Sequence, residues 1–210
     1  MRSMVEGPLA EEAPPPHFVR SPSPANAGED LMRIIAGAWR GRRLEAPAGQ
    51  ATRPTSDRAR EGLFSMLASR IGNFEGLQAA DLFAGTGALG LEALSRGAAH
   101  CTFVEKDRAA LDVLARNIAR LGAEARSDVR AQAVEHAAPP ARPCDIIFID
   151  PPYGAGLAQA AVERAASWLA PGGWISVELQ KEELALPFGL EAAAERRFGK
   201  ATLVLARKNN

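Results

Sequence analysis

Long apolar runs are missing from this chain of 210 residues. No stretch approaches the roughly 20 apolar residues that a membrane span needs, so no membrane partner is expected. Cysteine is scarce: only Cys101 and Cys144 occur, each inside an apolar run. Both are expected to be reduced and buried, as in a cytoplasmic protein. Neither belongs to a Cys-x-x-Cys pair or a Cys/His cluster, and no metal site is expected. The first residues lack the apolar core of a signal peptide, because Glu6 and Pro8 interrupt them before Leu9. An excess of charge of one sign is also lacking, since 25 Lys and Arg face 25 Asp and Glu. A global electrostatic case for nucleic acid therefore fails, and any such case must rest on where the basic residues lie. What remains is ordinary for a globular domain: 47% hydrophobic and 24% charged residues.

Residues 1–31 contain Pro8, Pro14, Pro15, Pro16, Pro22 and Pro24 without apolar periodicity. Such a composition cannot bury enough surface to offset its ordering entropy, and a disordered tail is expected. Periodic sequence begins at Met32, a candidate start of translation. Residues 32–44 read as a hairpin around Gly37 and Gly41. Thr55 or Ser56 is placed to cap a following helix with the stripe Leu63, Phe64, Met66, Leu67 and Ile71. Residues 32–76 thus form an N-terminal extension to a domain spanning 77–210. Strands and helices alternate in that domain, the pattern of an open, mostly parallel sheet. Expected strands cover Ala79–Phe83, Cys101–Val104, a weaker Val129–Val134, Asp145–Ile149 and Trp174–Leu179. Expected helices cover Ala88–Arg96, Arg108–Leu121 and Leu157–Leu169, and a terminal hairpin turns at Gly199.

Two loops carry the chemistry. The first runs from Asp81 to Gly90 between the first strand and its helix, with Gly85, Gly87 and Gly90 letting the backbone approach a ligand. Glu105 ends the next strand, 20 positions beyond Gly85, where a carboxylate can accept from ribose hydroxyls. The glycine spacing alone also fits a dinucleotide site. Asp81 separates the two: a carboxylate at the loop entry repels pyrophosphate and suits a ligand bearing an ammonium and a sulfonium. The second loop, Asp150-Pro151-Pro152-Tyr153, follows a strand expected to be buried on both faces. Its prolines fix the backbone, so the Asp150 carboxylate and Pro151 carbonyl form a pair of acceptors for a planar NH₂ group. Tyr153 offers a face on which a base stacks. An isolated Asp-Pro-Pro is more often a surface turn; following a glycine-loop strand in this order, it points to methylation of an exocyclic amino group.

These residues resemble class I methyltransferases with an (Asp/Asn/Ser)-Pro-Pro-(Tyr/Phe/Trp) motif. The segments Arg33–Leu44 (RIIAGAWRGRRL) and Thr52–Glu61 (TRPTSDRARE) resemble, more narrowly, the RsmD family of bacterial 16S ribosomal RNA (guanine-N2)-methyltransferases. The likeness runs from about Met32 to Lys208. It implies a Rossmann-like sheet of seven strands with the last antiparallel, and S-adenosyl-L-methionine as cofactor. It further implies that Asp81, Gly85 and Gly87 hold the methionine portion, Glu105 the ribose and Asp150 to Tyr153 the target base, with Phe83, Thr86, Lys106 and Asp150 also at the cofactor. Where the family has an Asp after the third strand this chain has Gln132, whose amide oxygen can still accept from the adenine amino group. Asp128 and Glu135 are the alternatives.

A local basic excess supports an RNA partner. Arg33, Arg40, Arg42, Arg43, Arg53, Arg58 and Arg60 face only Glu45 and Asp57 over residues 33–60. Such a segment suits phosphate contacts, which set affinity and register without reading sequence. Trp39 among them is placed to stack on RNA or to pack the hairpin. The substrate expected is 16S rRNA, within the small ribosomal subunit or an assembly intermediate, and the enzyme is expected to be a monomer. A DNA adenine-N6 methyltransferase is the nearer alternative, though residues 77–207 leave no room for a target-recognition region. A nucleotide-binding oxidoreductase or a non-catalytic relative is the farther one.

Overall fold

A computed structural model describes residues 32–46, 54–152, 156–180 and 183–210, with only the backbone for 54–56. The proline-rich tail 1–31, Arg53 and Tyr153 lie outside the described residues. Helix α1 spans Pro54–Ile71, followed by strand β1 at Gln78–Leu82, α2 at Ala88–Ser95, β2 at His100–Glu105 and α3 at Arg108–Leu121. Then come β3 at Ser127–Ala131, β4 at Cys144–Ile149, α4 at Leu157–Ala166 and β5 at Leu169–Leu179. β6 at Leu190–Phe198 and β7 at Ala201–Lys208 close the chain. The seven strands make one sheet in the order β3-β2-β1-β4-β5-β7-β6. β1 to β5 pair in parallel, while β7 enters antiparallel between β5 and β6. The expected seven-stranded sheet with its last strand antiparallel is the sheet observed.

Alternation along β4 shows why this sheet needs cover on both sides. Ile146 and Phe148 join the apolar cluster containing Leu91, Leu94, Leu114 and Ile118 of α2 and α3. Ile147 and Ile149 join the opposite cluster with Ala158, Ala161, Val162 and Ala165 of α4. All four β4 side chains are buried, as a central parallel strand requires. α3 starts where Asp107 accepts a hydrogen bond from the Ala110 N–H, and stops at Gly122 in the left-handed region.

Four elements differ from expectation. β3 ends at Ala131, and Val134 opens a short 3-10 turn at Val134–His136. α1 begins at Pro54, so Thr55 and Ser56 lie inside the helix; proline is favoured in a first turn, where its missing N–H has no partner to lose. α4 ends at Ala166, three residues early, because the chain must turn into β5 at Leu169. Pro171-Gly172-Gly173, ahead of the strand expected from Trp174, falls within β5, whose pairing with β4 jumps from Cys144↔Leu169 to Ile146↔Trp174. The extra residues of β5 are absorbed there as an irregularity in the ladder.

The N-terminal segment is docked onto α2 and α3. An antiparallel bridge joins Arg33 to Arg43, and turns at 37–41 reverse the chain. Glu92 of α2, wholly buried, accepts from the N–H groups of Ile35 (2.7 Å) and Ala36 (3.0 Å). Ser95 Oγ donates to the Ala36 carbonyl at 2.6 Å and accepts from the Trp39 N–H at 3.0 Å. Asn117 of α3 does the same for Glu45: its Oδ1 accepts from the Glu45 N–H and its Nδ2 donates to the Glu45 carbonyl. Gly37 is tight against α2, for a Cβ there would lie 1.9 Å from the Ser95 carbonyl oxygen. Ile34, Trp39 and Leu44 thereby enter the same core cluster as Phe103 and Phe148.

Candidate active site at the carboxyl edge of the sheet

The carboxyl ends of β1, β2, β4 and β5 open into a cavity of about 1480 Å³. Its other walls come from α1 (Ala59, Arg60, Leu63) and the turn between β6 and β7 (Phe198, Lys200). A site for one small ligand runs to about 300–1,000 Å³. This cavity has room for a cofactor and a second group beside it.

The glycine loop sorts its glycines by task. A Cβ on Gly87 would lie 2.4 Å from Leu114 Cδ1, and one on Gly90 would lie 2.3 Å from Phe103 Cε1. Those two glycines bring α2 against the sheet and α3. Gly85, at φ +54, has nothing nearer its Cβ direction than the Phe83 carbonyl oxygen at 3.9 Å. Its open side faces the cavity, where a ligand approaches backbone closely. Phe83 has φ 63, the only non-glycine positive φ among the described residues. Strain of this kind costs about 1–3 kcal/mol and collects at functional sites.

The acids of the site differ in surroundings. Asp81 is buried, and one oxygen accepts from the Gly90 N–H at 2.9 Å. Burial pushes its carboxyl well above the usual range, the charges of Asp150 and Glu105 push the same way, and the Gly90 bond only partly offsets them. Glu105 accepts from the Gly85 N–H (2.9 Å), Lys106 N–H (2.7 Å) and Asp107 N–H (2.8 Å). It ties the glycine loop to the end of β2. Asp150 follows β4 on the cavity wall, open to solvent there and enclosed by protein elsewhere. Its carboxyl is pushed up to about 7, first by burial and then by the charge of Glu178 on the neighbouring strand.

Of the other expected residues, Phe83, Thr86, Lys106, Gln132, Pro151 and Pro152 all line the cavity. The Thr86 carbonyl is fixed by Asn117 Nδ2 at 3.0 Å. Gln132 and Glu135 line the cavity, but Asp128 does not; it pairs with Arg130 at 2.9 Å. The basic segment divides. Arg33, Arg40, Arg42, Arg43 and Arg58 are exposed. Arg60 is buried, donating to the Arg33 carbonyl (2.6 Å) and pairing with Asp57 (2.8 Å), so it is no surface phosphate contact. Trp39, expected also as a base-stacking residue, is 8% exposed with the Arg126 guanidinium 4.9 Å above its ring. Its ring is committed to docking the hairpin. Sequence reasoning missed Glu92, Ser95 and Asn117, whose only trace is a polar residue on an otherwise apolar helix face. It also missed Glu178, Phe198 and Lys200, which later strands carry to the cavity.

Among the described residues no group of side chains is arranged to hold a metal, and no helix is long and apolar enough to cross a membrane. The open Gly85, the buried Asp81 and Glu105 at the end of β2 fit the glycine backbone, ammonium and ribose demands of S-adenosylmethionine. Fold and cavity together are those of the class I S-adenosylmethionine-dependent methyltransferases. Even at 13% identity the sheet matches magnesium protoporphyrin IX methyltransferase of Synechocystis PCC 6803, solved with bound SAM, at TM-score 0.59 over 74% of this chain and 80% of that one. The family model described as Conserved hypothetical protein 95 matches residues 32–207, and the chain belongs to that family, the RsmD family. Ribosomal RNA small subunit methyltransferase D of Escherichia coli K12 is 43% identical over 155 residues, 74% of this chain and 75% of that protein. The protein of the same name from Haemophilus influenzae is 38% identical over 161 residues, 72% and 80% of the two chains. The solved structure of Escherichia coli yhhF superposes at TM-score 0.75 with 38% identity, covering 85% of this chain and 98% of that one.

Proposed function

We propose that this enzyme methylates the exocyclic N2 amino group of a guanine in 16S ribosomal RNA, within the small ribosomal subunit or an assembly intermediate. The observation that carries the reading is the position of Asp150-Pro151 on the cavity wall, beside the strand end that bears Asp81 and the glycine loop. The relatives' printed names, ribosomal RNA small subunit methyltransferase D, support the same substrate. S-adenosylmethionine supplies an electrophilic methyl carbon. Asp81 holds its ammonium, Glu105 its ribose, Gln132 its adenine amino group, and the backbone at Gly85 lies along its methionine portion. Leu63, Phe198 and Leu203 give the cavity an apolar wall on which a flat base lies. Tyr153 is assigned a stacking role for the base. The Asp150 carboxylate and Pro151 carbonyl accept from the amino group, draw its lone pair out of ring conjugation and aim it at the methyl carbon. Holding a near-attack geometry is the main requirement of such a displacement. The methylated nitrogen is strongly acidic, and its proton passes to Asp150 or to water. Exposed Arg33, Arg40, Arg42, Arg43 and Arg58, with Arg53, are assigned to RNA phosphates. A cytoplasmic monomer completes the reading.

Tritiated cofactor incubated with separate ribosomal RNA, ribosomal particles and DNA, followed by identification of the modified nucleoside, tests the substrate. N2-methylguanosine in RNA is the expected product; N6-methyladenine in DNA would overturn the reading. Asp150→Ala is expected to abolish transfer while calorimetric cofactor affinity survives. Since ionised Asp150 is the stronger acceptor for the amino group and has no O–H of its own to turn toward it, kcat/KM is expected to rise with pH through about 7. A flat profile from pH 6 to 9 would remove Asp150 from that role.

A further inference from the structure

Glu178 lies one strand out from the methyl-accepting position. Ile149 of β4 pairs with Val177 of β5, so Asp150 and Glu178 come next to each other at the ends of adjacent strands. Neighbouring strands are about 4.8 Å apart. Ser176 and Glu178 of β5 share one face, and Gln180 follows just past the strand; all three line the cavity. The sheet order β2-β1-β4-β5 thus sets out a line: Glu105 and Asp81 for the cofactor, then Asp150, then Glu178.

Guanine's pairing edge carries its groups in a matching line. The N2 amino group comes first, then the N1–H donor, then the O6 acceptor. With N2 at Asp150, facing the cofactor over β1, the ring extends away from it and brings N1–H over β5. We propose that Glu178 is the residue that selects guanine, its carboxylate accepting the N1–H hydrogen of the base whose N2 is held by Asp150 and Pro151. This rests on the guanine-N2 reading above. Adenine placed the same way presents an N1 lone pair to that carboxylate, and the two acceptors repel. Unpaired polar groups of this kind discriminate strongly between otherwise similar ligands. Gln180, two positions further on, carries an amide NH₂ of the polarity that O6 requires. A carboxylate offers about four lone-pair directions, so Glu178 can keep a partner within the protein and still accept from a base. Placing two donor hydrogens between Asp150 and Glu178 also relieves the repulsion of neighbouring carboxylates in the free enzyme.

Glu178→Gln and Glu178→Ala test the assignment on unmodified small-subunit RNA or particles, whichever the wild type methylates. Other charged groups lining the cavity include Asp81 and Glu105 from the sheet, Arg60 from α1 and Lys200 from the last turn, and these are unchanged in both variants. Both are expected to keep the wild-type cofactor Kd by calorimetry and to lose at least tenfold in kcat/KM at pH 9. At that pH Asp150 is ionised in every form, so a loss there reports contact with the base. In RNA carrying 2,6-diaminopurine at the mapped guanine, which keeps N2 but has no N1–H, the wild type is expected to fall at least tenfold. Glu178→Gln, able to donate from its amide, is expected to narrow that gap. If kcat/KM stays within twofold of wild type at pH 9 and changes only below pH 8, Glu178 acts on Asp150 by charge alone and the assignment is overturned. A wild-type product other than N2-methylguanosine would instead overturn the functional reading, and this assignment with it.

Discussion

Asp81 is an acid that the fold has stripped of water. Burial raises its carboxyl well above the ordinary range, with Asp150 and Glu105 adding to the rise. A carboxyl whose folded-state pKa is raised contributes stability at low pH that is lost as pH climbs through the raised value. Above that value the cofactor-free protein carries a buried, poorly compensated anion, which a ligand ammonium would offset. Asp81→Asn is therefore expected to melt above wild type at pH 8 without cofactor, with the gap closing towards pH 4. The same variant is expected to weaken cofactor binding by about 1.5–3 kcal/mol, the range for hydrogen bonds to charged groups. Melting curves across pH and calorimetry decide it. An unchanged Kd would place the ammonium elsewhere. The three loop glycines also separate at this scale, since Gly87 and Gly90 serve packing and Gly85 leaves the opening.

At the scale of elements, α2 works at both ends. Its start at Ala88 follows the glycine loop, and its wholly buried Glu92 receives the N-terminal segment, holding two backbone N–H groups and Arg96 Nε at 2.7 Å. Removing one partner of a buried pair typically costs about 3–5 kcal/mol, because the others are left unpaired. Glu92→Ala is expected to lower the melting temperature on the order of 10 °C for a domain of this size. Limited proteolysis is expected to cut first within residues 32–46. Cutting at the wild-type rate, with unchanged melting, would mean that the segment is held by Ile34, Trp39 and Leu44 alone. α3 contributes similarly through Asn117, which grips Glu45 and the Thr86 carbonyl together. The docked segment and the glycine loop thus share one side chain.

Over the whole molecule the formal net charge is zero, so contact with RNA depends on where the basic side chains lie. The cavity opens at the carboxyl edge of the sheet, near the start of α2, with Lys106 and Lys200 among its lining residues. Gly37 and Ala38 sit at the other end of α2, against Ser95. Exposed Arg40, whose N–H donates to the Gly37 carbonyl, belongs to that end, a helix length of about 12 Å away for eight residues, and exposed Arg42 lies on the returning segment opposite Ile34. RNA that reaches them must extend along the side of the domain. Arg40→Ala/Arg42→Ala is expected to raise the KM for RNA and flatten its salt dependence by about 0.7–0.9 in the log–log slope per lost phosphate contact. Saturating kcat and cofactor Kd are expected to hold. A fall in kcat at saturation would mean that this end shapes the reaction centre and does more than grip RNA.

Local patterning determined much of the protein without help from the rest of the chain. Asp107 and Gly122 bound α3, the continuous run at 144–149 marks a strand covered on both faces, and the glycine loop and Asp150-Pro151-Pro152 each follow a strand. These features depend on neighbours a few residues apart, and the sequence displays such neighbours directly. Only the tertiary structure decided that Trp39 packs under Arg126, that Arg60 is buried, and that Asp128 is held by Arg130. Only the strand order set Glu178 beside Asp150, 28 positions apart in the chain. The two carboxylates meet because β5 chose β4 as its neighbour, and that choice comes from burying two apolar faces at once. No spacing along the sequence records it.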